Sequence, residues 1–130
     1  MLDADFYAAY KEQYKYLIEY LMERADKVVL ASTTPVVERF VKNRYLNFLC
    51  SHCHPRWIEK LDVDTNREVE IRNKIAEDLA AEYKILFNDL YSYMKTTGKD
   101  FKHIDIFHYT RRGDAFLAQR VYQFLELKEE

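Results

Sequence analysis

"KVVLASTTPV", residues 27 to 36, decides how this chain folds. Val28, Val29 and Leu30 form a short apolar, β-branched run, which reads as a strand buried on both faces. Thr33-Thr34-Pro35 ends it in a turn, and Pro35 suits the first position of a following helix. Upstream, Asp3 can cap a helix reaching about Ala25. Phe6, Tyr10, Tyr14, Leu17, Leu21 and Met22 recur there at spacings of three and four, which predicts one buried stripe. Downstream, Val37 to Leu49 keeps helical spacing, Pro55 stops it, and residues 55–64 read as irregular. Thr65-Asn66-Arg67-Glu68 has the form of a capping box. It opens a helix through about Glu82, with Ile71, Ile75, Ala76, Leu79, Ala80 and Tyr83 inward. "KILFN" (84–88) is a second candidate strand and "DLYSYM" a short helix. A last helix, from about Asp114 to Leu127, is expected to bury Phe116, Leu117, Val121, Phe124 and Leu125.

Strands separated by helices imply an α/β fold with a parallel sheet between helices. Two strands are few for such a sheet and leave both edges open, so self-association or partial disorder is expected. The 130 residues suffice for one domain, residues 1–130, with a single core. A hydrophobic share of 48% with 32% charged residues fits a globular protein. Net charge is −2 with both signs interspersed, which gives no electrostatic reason to expect nucleic acid or an anionic membrane as partner. No apolar run approaches the roughly 20 residues of a membrane span, and "MLDADFYAAY" does not read as a secretory signal, so the cytoplasm is the expected compartment. Only two glycines, Gly98 and Gly113, are present, where about nine would be average. No glycine-rich phosphate loop exists, which sets aside nucleotide binding of that kind.

The chemistry points elsewhere. In "HIDIFHYTRRGDAFLAQRVYQFL" (103–125), Asp105 and His108 stand three apart just before an amphipathic helix. A carboxylate that accepts the Nδ1 proton of a histidine leaves Nε2 free as a general base. Taken alone the pair is a weak signal, and a solvated loop histidine with an unrelated aspartate is the better account of it.

The surrounding wording adds to it. Asp105-x-x-His108-Tyr109-Thr110-x-x-Gly113, followed by Leu117-Ala118, Val121 and Leu125, resembles the last block of the SGNH, or GDSL, hydrolase family. "KVVLASTTPV" resembles that family's strand and Thr-Pro turn beside the active site. "REVEIRNKIAEDLAAEYKILFNDLYSYM" resembles its helix–strand–"DLY" segment, with Asn73 early in the helix. The likeness covers nearly the whole chain, and residues 35–64 resemble a family-variable insertion. It implies a partial three-layer, flavodoxin-like α/β/α fold. It implies hydrolysis of acyl esters, often acetyl esters of carbohydrates, without metal or organic cofactor. His108 then matches the catalytic base and Asp105 the acid that orients it, while Thr34, Pro35 and Trp57 would border the substrate pocket.

The chain departs from the family at the nucleophile. The Gly-Asp-Ser and Gly-x-Asn-Asp blocks, which supply the serine and the oxyanion donors, are absent. Ser32, Ser51 and Ser92 are the only serines, and none follows Gly-Asp. The missing blocks are those that would precede the first helix, so the likeness is to the C-terminal part of the fold. Loss of nucleophile and oxyanion donors predicts an inactive isolated chain. A complementing N-terminal chain, or self-association, is the partner this implies; Ser32, at the strand end, is the one serine placed to substitute. The alternative is a non-catalytic binding module that keeps half a hydrolase fold.

A competing centre is Cys50-Ser51-His52-Cys53-His54. Zinc needs about four converging ligands, and no second Cys-x-x-Cys or His pair accompanies this cluster. Its position at a predicted helix C-terminus disfavours a low-pKa redox thiol. A structural role, or a loop bordering the pocket with Arg56 and Trp57, is the preferred reading; Trp57 covering the core accounts for that residue at least as well, and a small metal-binding protein is the remaining alternative.

Overall fold

The computed structural model describes residues 4–36, 66–96 and 108–126. The order of elements is α1 (Ala4–Met22), β1 (Val29–Ala31), α2 (Asn66–Glu82), β2 (Leu86–Asn88), α3 (Leu90–Thr96) and α4 (Arg111–Glu126). The fold is mixed α/β and mostly helical, with a short two-stranded parallel sheet. Val29, Leu30 and Ala31 stand opposite Leu86, Phe87 and Asn88. A parallel pair needs a crossover rather than a tight turn, and α2 lies within it. Among the described residues no helix is long and apolar enough to cross a membrane.

The core forms where α1 and α2 meet the sheet. Ile18 of α1, Leu30 of β1 and Leu79 and Ala80 of α2 are buried together, with Tyr14, Ile75, Tyr83, Ile85 and Phe87 packed around them. Polar contacts align the two helices along their length. Tyr7 donates to the buried Glu68 carboxylate, Lys15 lies 3.6 Å from Glu82, and Tyr83 donates to Glu19 at 2.6 Å. A second, smaller cluster joins Val36, Val69 of α2 and Tyr91 of α3. Helix α2 therefore carries both clusters, which makes it the central element of the described structure.

The strands are shorter than their apolar runs, and β1 is not covered on both faces: Leu30 is buried, Val29 half-buried and Ala31 exposed. The stripe expected on α1 is also incomplete. Ile18, Tyr14, Tyr10 and Tyr7 turn inward, whereas Phe6, Leu17, Leu21 and Met22 remain exposed. Helix α4 begins three residues before Asp114, and Gly113 is its single buried residue. Phe116, Leu117 and Phe124 are half-buried, while Val121 and Leu125 are exposed, so the apolar face of α4 finds only partial cover. The helix expected over 37–49 and the Cys50–His54 cluster lie outside the described residues.

Helix α2 ends in a Schellman motif with an unusual occupant. Ile85 N–H donates to the Ala80 carbonyl at 2.9 Å and Lys84 N–H to the Ala81 carbonyl at 3.2 Å. The motif puts its penultimate residue in the left-handed region, where glycine is the usual choice, yet Lys84 stands there at φ 54°. A left-handed residue with a Cβ costs about 1–2 kcal/mol, more than glycine loses in chain entropy. Lys84→Gly should therefore stabilise the protein by roughly 0.5–1 kcal/mol in denaturant unfolding.

Candidate functional site

The site grows from the turn that leaves β1. After Ser32 the backbone quits the sheet, and side chains of α2 take over its hydrogen bonds. Thr33 N–H donates to Asn73 Oδ1 at 2.8 Å, and Asn73 Nδ2 returns a bond to the Thr33 carbonyl at 2.8 Å. Asn66 treats Val36 in the same way, with both bonds at 3.0 Å. Asn66 and Asn73 are two helical turns apart and so lie on one face of α2, at the spacing needed to grip both ends of the turn. Each primary amide offers a donor and an acceptor, as a neighbouring strand would.

Ser32 fastens the turn from the other side. It is buried, its hydroxyl donates to Asp89 Oδ1 at 3.1 Å and accepts from Tyr91 N–H at 2.8 Å, and its own N–H continues the ladder to the Asn88 carbonyl at 3.0 Å. Asp89 in turn caps α3 through Ser92 N–H at 3.1 Å. Partial burial pushes the Asp89 carboxyl upward, but hydrogen bonds from Ser92, Ser32 and Tyr91 N–H outweigh this and hold it below the usual aspartate value. The Ser32 hydroxyl is thus engaged as a structural tie between the two strand ends.

The third contact comes from the segment before α4. Tyr109 is buried, accepts a hydrogen bond from Thr34 and places its hydroxyl 3.4 Å from the Pro35 carbonyl. Burial raises its phenol pKa, and the Thr34 bond opposes that rise. Thr110 caps α4, with Asp114 N–H donating to its carbonyl at 3.0 Å and Gly113 N–H to its Oγ1 at 3.4 Å. His108, the neighbour of Tyr109, is thereby held at the edge of the Thr33–Val36 turn with its side chain exposed. Thr34 and Pro35 are both half-buried against this segment. The structure therefore brings His108, Thr34 and Pro35 into one neighbourhood, whereas Asp105 and Trp57 lie outside the described residues.

A groove of about 400 Å³ runs between α2 and α3 beside this turn, and Asn73 and Asp89 lie on its wall. Phe87 and Tyr91 supply its apolar surface, and Glu70, Lys74, Glu77 and Lys95 its charged rim. The charges are paired: Lys95 lies 3.2 Å and Lys74 3.0 Å from Glu70 and Glu77 respectively. The Tyr91 hydroxyl also donates to Glu70 at 2.6 Å, and with Lys95 it holds that carboxyl below its ordinary value. Among the described residues no group of three or more His, Cys, Asp or Glu side chains is arranged to hold a metal ion.

Compared with protein-family models, curated proteins and solved structures, the chain matches none. The site is therefore read from its own geometry. Asn66 and Asp89 are builders that sequence reasoning did not single out, while Ser32 and Tyr109 were noted only as a substitute nucleophile and as part of the last block, not as supports of the turn. The one available sign was Asn66, which a capping-box reading assigns to the helix start and not to a partner in the preceding turn.

Gly113 tests how tightly His108 is positioned. A Cβ at Gly113 would stand 2.8 Å from Tyr109 Cβ, closer than two carbons can approach, and neither atom lies at the end of a flexible side chain. Gly113→Ala should destabilise the fold by about 1–3 kcal/mol. It should also shift the His108 imidazole resonances in NMR spectra, whereas Ala118→Ser, at an exposed position of the same helix, should leave them unchanged.

Proposed function

We propose that this chain carries the base-and-acid side of a serine ester hydrolase site, of the SGNH type, built at the carboxyl ends of parallel strands. The observation that carries the reading is the docking of Tyr109 against Thr34 and Pro35, which sets His108 beside the turn after β1. Ligand sites in α/β sheets favour this position. In the proposed reaction His108 takes the proton of a serine as it attacks the ester carbonyl, then gives it to the departing alkoxide. Asp105 stabilises the imidazolium in between, and Thr34, Pro35 and Trp57 border the acyl-ester substrate. The full arrangement would be a three-layer, flavodoxin-like fold, with the described helices and two strands as part of it.

Serine and oxyanion donors would come from polypeptide outside these 130 residues, either a complementing N-terminal chain or a longer form of the same one. Ser32 does not fill that role, because its hydroxyl is buried and bonded to Asp89 and Tyr91. No metal or organic cofactor enters the proposed chemistry, and a cytoplasmic setting suits it.

A second reading is favoured by a different observation. The apolar faces of α1 and α4 are only partly covered, which suits a non-catalytic binding module that retains the fold. Assay of the purified chain with p-nitrophenyl acetate distinguishes the two. The isolated chain should show no turnover. Co-expression with coding sequence from immediately upstream that contains Gly-Asp-Ser and Gly-x-Asn-Asp should give turnover that His108→Ala abolishes. Turnover by the isolated chain that survives His108→Ala would contradict the hydrolase reading, and absence of those blocks upstream would favour the module.

A further inference from the structure

We draw no further inference here: the strongest candidate, the groove between α2 and α3 walled by Phe87 and Tyr91, carries none, because its rim charges are paired with one another, Asn73 and Asp89 are spent on the turn and the α3 cap, and nothing in the structure shows what would fill it.

Discussion

Two asparagine side chains hold the backbone that the rest of the structure depends on. Where the chain leaves β1, the peptide groups of Thr33 and Val36 no longer have a strand to pair with. Val36 is buried, and a buried peptide group without a partner is costly, so that end of the turn needs a substitute ladder, while at the exposed Thr33 the same pairing fixes the backbone. Asn73 and Asn66 provide it, each pairing with both the N–H and the carbonyl of one residue. Because both project from α2, the turn, the sheet and the central helix become one unit. Val36 can then enter the cluster with Val69 and Tyr91, and the Thr34–Pro35 backbone offers a fixed surface to Tyr109.

That chain of dependence separates what the sequence made legible from what it hid. The elements were readable because their residues announce them locally: a β-branched run for β1 and period-3.6 apolar positions for α2. The grip on the turn was not, since Asn66 and Asn73 meet partners thirty and forty residues away, and nothing in local spacing records that. Ser32 shows the same limit. Its place at a strand end reads mainly as an ordinary strand-end serine and only secondarily as a substitute nucleophile, but the tie to Asp89 that gives it a structural role depends on the register of β1 against β2. Periodicity also misjudged the outer residues of α1 and α4. A spacing pattern reports that a face is apolar, not that something lies against it.

His108 illustrates how much a neighbour can decide. Its own side chain is exposed, and its position comes from Tyr109, whose ring is buried, and from Gly113, which leaves room for that ring. The scarcity of glycine makes the point sharper. Lys84 accepts a left-handed conformation that glycine usually takes, whereas at Gly113 no larger residue would fit beside Tyr109. The two situations differ because the first asks only for backbone strain and the second for space that another side chain already fills.

The account turns on the asparagine grip, and amide hydrogen exchange measures it directly. Thr33 is an exposed residue beyond the last strand position, so without the grip its N–H should exchange at nearly the rate of an unstructured chain. With the grip, the Thr33 and Val36 amides should be protected to a degree close to that of the β1 amides, and Asn73→Ala should remove the protection at Thr33. Rapid exchange of both amides in the unaltered protein would contradict the account, because the turn would then be free to move and nothing would hold Tyr109 and His108 in place.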